Sequence, residues 1–300
     1  MSDDPYFQMS DNQFTGAKHR AMWHRIFSIL RPEKTELLSF YDIKSLIKPD
    51  TESYRGLSTV PLDKVVGSEG RYNDFNRAFL PRKEHLRARW RSVNTAALTD
   101  VTLPPVRLFK IGDVYFVRDG NHRVSVARLR GQMDIDAEIT ELTTQIEVTP
   151  EMTLTDLKKK VIDFELNRVK ERSGLGDCVD FEGIKFTAPG RYEEILRHIL
   201  GHQSYLNRKN EQEVDLKTAA RSWFLTIYLP VINIIQAEGL VKRFPDRTDA
   251  DIYTWVIKHW DALGDRYGAF PKIFGVHSGK PGPGLRFKNW LKRVFSRRPL

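Results

Sequence analysis

Val106-Arg107-Leu108-Phe109-Lys110-Ile111, then Gly112-Asp113, then Val114-Tyr115-Phe116-Val117-Arg118, then Asp119-Gly120-Asn121-His122-Arg123: the architecture of the first half of the chain hangs on this run. Two stretches rich in β-branched and aromatic residues flank Gly112-Asp113, a pair that supplies the positive φ of a two-residue hairpin turn. The second strand ends in a glycine corner. From Asn121 to Arg130 the spacing predicts a helix, stopped by Gly131 where a left-handed residue is needed. Met133, Ile135, Ala137 and Ile139 then alternate with Asp134, Asp136, Glu138 and Thr140, the pattern of a strand with one buried and one wet face.

The corner carries the chemistry. The first turn of a helix has backbone N–H groups without partners, and its dipole favours an anion. Gly120 lets a ligand approach the backbone closely. Asn121, His122 and Arg123 add side-chain donors, Arg123 as a planar fork matched to phosphate oxygens, and Ser125 lies one turn on. The same residues also fit a purely structural corner, in which Asp119 caps, Gly120 turns and Arg123 pairs with an acid.

Leu103-Pro104-Pro105-Val106, the run Tyr115 to Arg123 and Ala127 together resemble the ParB/sulfiredoxin superfamily, whose Gly-x-x-Arg-x-x-x-Ala-like box falls here on Gly120, Arg123 and Ala127. The resemblance covers Val60 to Leu142. It implies an α/β (α+β) mixed-sheet domain that binds ATP or CTP, with Mg²⁺, through Gly120, Asn121, His122, Arg123 and Ser125. It also implies a second set of contacts from the loop Gly67-Ser68-Glu69-Gly70-Arg71, with Ser68 and Arg71 on phosphate and Asp119 or Glu69 as base or metal ligand. Asn121 stands where sulfiredoxins carry their reactive cysteine, and the single Cys178 lies outside the domain, so that activity is not expected. Asn121 and His122 also depart from the Gly-Glu-Arg-Arg box of partitioning ParB proteins. The box of ParB-like serine kinases differs only at Asn121, which keeps phosphoryl transfer open beside hydrolysis as a switch.

Outside this region, Phe14–Leu30 and Glu36–Ile47 read as helices of an N-terminal arm (1–50) packed on the domain 51–150. Thr59–Val66 reads as a short strand and turn, and Lys83–Ala97 as a charged helix. Residues 151–277 read as an all-helical domain, with helices at Leu154–Arg172, Tyr192–Leu200, Leu216–Glu238 and Ala250–Leu263. Pro230 is expected to bend the third of these, and Thr248 to Asp251 to form a capping box at the start of the fourth. The pair His198 and His202 has a spacing that can bind metal, but no third ligand accompanies it, and no metal site is assigned.

The chain has 300 residues and a formal charge of +9. Seven of its basic residues and no acid lie in Gly279–Leu300, leaving 41 basic against 39 acidic residues elsewhere. Residues 278–300 therefore read as a linker and a basic amphipathic tail, with Lys292 and Arg293 as candidates for DNA contact and an anionic membrane as another candidate surface. Arg87 and Arg91, in a basic run with Trp90, support a rival reading as a non-catalytic DNA-binding module; a nuclease is a third. A polar, acidic N-terminus, one cysteine and no apolar run of membrane-spanning length lead to the expectation of a bacterial-type cytoplasmic protein.

Overall fold

A computed structural model describes residues 5–27, 36–173, 176, 179, 181, 183–208, 212–237 and 239–260, with the side chains of 24–27, 172 and 260 left out. The chain divides into two compact units, Met1–Lys160 and Val161–Leu300. Cys178, Lys292, Arg293 and the whole basic tail lie outside the described residues.

The first unit is mixed α/β. Helix α1 (Pro5–Phe27) is followed by β1 (Leu38–Ser39), α2 (Phe40–Ile47), β2 (Thr51–Pro61) and β3 (Val65–Ser68). Then come α3 (Arg87–Leu98), β4 (Val106–Ile111), β5 (Val114–Asp119), α4 (Asn121–Leu129) and β6 (Asp134–Thr143). The sheet order is β1-β3-β5-β4-β6-β2. Strands β1, β3 and β5 run parallel, β4 is antiparallel to β5 and parallel to β6, and β2 closes the edge antiparallel to β6. The hairpin turns on Gly112 at φ 58, and Gly131 closes α4 at φ 74.

Period-2 alternation splits the central strands between two faces. Leu108 and Val117 join Trp90, Val124, Val126 and Phe14 on the side of α3 and α4. Phe109 stacks on Phe40 of α2 at 4.2 Å between centroids, and Phe116 meets the same ring edge-on at 5.8 Å. α2 is placed by its own caps: Ser39 Oγ accepts from the Asp42 N–H at 3.4 Å, and Lys48 ends it in the left-handed region at φ 47.

The sequence expectations need correction at several points. α1 begins at Pro5 rather than Phe14, and the expected stretch beyond Phe27 lies outside the described residues. It packs within the first unit, with Phe14 on Trp90 at 5.6 Å. Glu36 to Ser39 is extended and the helix starts only at Phe40. β2 is eleven residues long and begins eight residues before the strand read at Thr59. Residues 84–86 form a 3₁₀ turn ahead of α3.

The second unit is helical: the end of α5 (Leu154–Ser173), α6 (Arg191–Asn207), α7 (Leu216–Trp223), α8 (Leu229–Ala237) and α9 (Asp249–Trp260). α6 runs seven residues past the expected Leu200. The break in the long helix is a π turn at Phe224–Tyr228, ahead of Pro230 rather than at it. The Thr248 box forms as read: Thr248 Oγ1 accepts from the Asp251 N–H at 3.1 Å, and the Thr248 N–H donates to Asp251 Oδ2 at 3.0 Å.

Leu216–Ala237, a 22-residue helical stretch holding an 18-residue window of mean hydropathy 1.2, is long and apolar enough to cross a membrane by length and composition, against the sequence expectation. On this stretch Ala219, Ala220, Trp223, Tyr228, Val231 and Ile235 are buried in the second unit, whereas Leu225 is exposed.

Candidate functional site

Because β3 and β5 are parallel neighbours with Ser68 opposite Val117, the segments that follow them leave the sheet at the same edge, where open α/β sheets place ligands. Glu69 N–H donates to Val117 O at 2.9 Å and ties the first segment to the second strand. Ser68 is fully buried; its hydroxyl donates to Val117 O at 3.3 Å and accepts from the Arg71 N–H at 3.1 Å. It shapes the turn rather than offering a donor to a ligand.

At the second segment Gly120 caps α4 at φ 102, with no side-chain cap. The first helical bond, Val124 N–H to Gly120 O at 3.0 Å, leaves the amides of Asn121, His122 and Arg123 as the open end of the helix. A Cβ on residue 120 would sit 2.6 Å from Val106 Cγ1, so glycine is required for packing as well as for φ.

Three of the expected contacts are spent inside the protein. Arg123 hydrogen-bonds Pro104 O, donates to Pro105 O at 2.8 Å and pairs with Asp119 at 2.7 Å, and its side chain is only 14% exposed. It clamps the Leu103–Val106 segment onto the helix and is not a free phosphate fork. Asp119, although exposed, is committed to that pair. Ser125 is buried, donating to Phe79 O at 2.6 Å and accepting from Trp90 Nε1 at 2.9 Å. Its hydroxyl faces the α3–α4 interface, not the helix end.

Other side chains bring positive charge to the same corner. Arg71, Lys83 and His85 approach Asp74 at 3.0, 2.9 and 3.9 Å. Burial pushes the Asp74 carboxyl up, but the hydrogen bonds from Lys83 and Arg71 outweigh it and hold it below the usual range. His122 packs edge-on against Phe75 at 5.5 Å. Burial first, then the charges of Arg71 and Arg89, push its imidazole down to about 4, with only Asp74 opposing. Two buried polar atoms here have no hydrogen-bond partner, Asn121 Oδ1 and His122 Nδ1, although such groups are nearly always paired. Glu69 lies at the opposite rim and accepts from Tyr41 Oη at 2.7 Å, a bond that raises the phenol's pKa.

No protein-family model, curated protein or solved structure matches this chain.

The structure brings Gly120, Asn121, His122 and Arg71 to one corner, together with Asp74 and His85, which the sequence reading did not name, and Lys83 and Arg89, which it read only as part of a basic helical run. Those last four lie in the loop after β3 and the start of α3, and only the parallel pairing of β3 with β5 brings them to the corner. The nucleic-acid candidates fare differently. Arg87 pairs with Glu84 and with Asp11 at 3.0 Å, while Arg91 pairs with Asp11 at 3.2 Å and lies over the Phe7 ring at 3.6 Å. Both fasten α1 to α3 and present no free basic face. Among the described residues no group of three or more His, Cys, Asp and Glu side chains is placed to hold a metal ion, and His202 Nε2 lies 3.0 Å from Ser222 Oγ.

The depressed His122 value has a measurable consequence. The unfolded chain takes up a proton near its ordinary pKa of 6.5, while the folded protein resists until about 4. Stability is therefore fully present above pH 6.5 and is lost as pH falls from 6.5 to 4, by about 3 kcal/mol. Urea titrations at pH 7 and pH 4.5 should show this loss, and His122→Gln should remove most of it. An equal loss in the variant would assign the proton to another group.

Proposed function

We propose that the first unit is a ParB/sulfiredoxin-like nucleotide-binding domain whose ligand phosphates sit at the open end of α4. The observation that carries this reading is the coincidence of an uncapped helix start at Gly120 with Arg71, Lys83, His85 and Arg89, beside the unpartnered Asn121 Oδ1 and His122 Nδ1. Backbone amides at a helix N-terminus bind anions, and each basic side chain nearby adds a charge-assisted donor. Arg71 and Lys83 take the role first given to Arg123, exchanging Asp74 for phosphate oxygens as a ligand enters. Arg123 positions the corner by holding Pro104, Pro105 and Asp119. ATP or CTP with Mg²⁺ is the proposed ligand, serving phosphoryl transfer or hydrolysis as a switch, with Glu69 as the carboxylate that orients metal or water, since Asp119 is held by Arg123.

A thermal-shift series with ATP, CTP and their Mg²⁺ complexes tests the reading on the full chain. One of them should raise the melting temperature, and Arg71→Ala with Lys83→Ala should weaken that nucleotide about tenfold or more. Absence of a shift with every nucleotide at millimolar concentration sinks the proposal, as does a shift that both substitutions leave untouched.

A further inference from the structure

The sheet of the first unit ends differently on its two sides. At one edge stands β1, two residues long; at the other stands β2, eleven residues long and paired on one flank only, with β6. Edge strands are commonly shielded by being short, or by lysine or proline along them. β2 has no lysine, and Pro61 is its last residue. From Thr51 to Thr59 none of its side chains is buried, so this stretch adds nothing to the core. Its outer flank carries backbone donors and acceptors that face no strand.

The bulge in β2 decides where its two large exposed side chains go. Side chains three apart on a regular strand point to opposite faces. Here Tyr54 lies opposite Thr140 and Leu57 opposite Glu138, with the register shifting between Tyr54 and Gly56. Thr140 and Glu138 are two apart on β6 and share a face, so Tyr54 and Leu57 share it as well. The strand's two charges are already neutralised inside the chain: Glu52 pairs with Lys44 at 3.1 Å and Arg55 with Glu141 at 2.8 Å.

This pattern is its own complement. Laid antiparallel to a second copy about a two-fold axis at Gly56, with Arg55 and Gly56 filling one rung, β2 sets Tyr54 of each copy opposite Leu57 of the other. Ser53 then meets Ser58, and Glu52 meets Thr59, so no like charges stand opposite one another. A bulge that brings two apolar side chains onto one face, on an edge that is otherwise polar, is what such a pairing requires. With β1 only two residues long, each chain offers one edge of this length, and the assembly closes at two.

We propose that the protein forms a homodimer by antiparallel pairing of β2 with β2 of a second copy, joining the two sheets into one and stacking Tyr54 against Leu57 twice across the axis. The inference uses none of the side chains at the phosphate corner and does not rest on the nucleotide reading. A ladder of this length with two apolar pairs lies at the small end of stable interfaces, so the dimer should assemble at micromolar concentration.

Analytical ultracentrifugation of the full chain from about 1 to 200 µM tests it. The parent should pass from monomer to dimer within that range and stop there. Tyr54→Lys with Leu57→Lys, both at exposed positions, should weaken the dimer about tenfold or more while leaving the melting temperature of the dilute protein unchanged. Disulfide capture in a Cys178→Ser background reads the register. An equal mixture of Tyr54→Cys and Leu57→Cys chains should cross-link on mild oxidation, and neither chain should do so by itself, because only positions 54 and 57 of opposite copies come within disulfide reach. A chain that stays monomeric throughout overturns the proposal. So do a dimer untouched by the paired lysine substitutions, capture of Tyr54→Cys chains alone as readily as of the mixture, and growth beyond two copies, which needs a second edge.

Discussion

Gly67→Ala should unfold the first unit about 10 °C earlier than the parent chain, a cost of about 3 kcal/mol or more. Gly67 sits in β3 between β1 and β5, opposite Leu38 on one side and Phe116 on the other. A methyl group there would lie 2.3 Å from Phe116 Cδ1 and 2.5 Å from the Leu38 carbonyl oxygen. The Leu38 oxygen belongs to the backbone of a paired strand and has little freedom to retreat. The Phe116 ring is fully buried against Phe40 and cannot swing to solvent. Overpacking on this scale forces strand β1 outward, and α2 with it. Circular dichroism melts of the variant provide the measurement, and Gly67→Ala combined with Phe116→Leu should recover part of the loss, because the smaller side chain makes room for the methyl. A melting temperature within about 2 °C of the parent would show that the strands are not packed this closely.

Arg128→Met should cost about 3 kcal/mol. The Arg128 guanidinium donates to Arg77 O at 2.9 Å and Val65 O at 2.8 Å, bonds Leu62 O as well, and lies 5.1 Å from the Phe79 ring centroid. Arg77 in turn bonds the carbonyls of Pro150 and Met152. Two arginines thus tie the end of β2, the start of β3, the loop after it and the segment following β6 through backbone oxygens. Burial, joined at Arg128 by the charge of neighbouring Arg77, lowers both to about 10; each still carries its charge at neutral pH. Methionine fills the volume but leaves several carbonyl groups without their donor. Arg128→Lys should lose nearly as much, since one ammonium on a flexible stem cannot reproduce a rigid fork across three acceptors. Urea denaturation should show a lower midpoint with an unchanged slope. A lysine variant as stable as the parent would mean that charge, not fork geometry, holds these segments.

The hairpin, α4 and β6 were legible because each follows a local rule: period 2, a glycine at a turn, a left-handed stop. β2 was not. Its outer residues are solvated on both faces, with Tyr54 67% and Leu57 64% exposed, so no alternation marks it, and its pairing with β6 is set by ladder hydrogen bonds rather than by side-chain pattern. The register shift at Tyr54/Gly56, with Gly56 at φ 81, disturbs what period remains. At the corner, residue type fixed the presence of a basic helix start but not the division of labour within it. Arg123 was read as a ligand fork because its carbonyl partners, Pro104 and Pro105, carry no sequence signal as acceptors. Asp74 escaped notice for the opposite reason: an acid in a loop gives no hint that three basic side chains will converge on it.

The place of β6 governs the order in which the first unit can be assembled. β6 is the last strand made, yet it lies between β4 and β2 and pairs with both. A chain emerging from the ribosome, or cut short before residue 134, holds two completed strands whose inner flanks wait for the same absent neighbour. Until Asp134–Thr143 is inserted, those flanks are open templates for any extended polypeptide nearby. Truncations that end ahead of β6 should consequently collect in inclusion bodies, and the span from Thr51 to Thr143 is the shortest piece in which that gap can close.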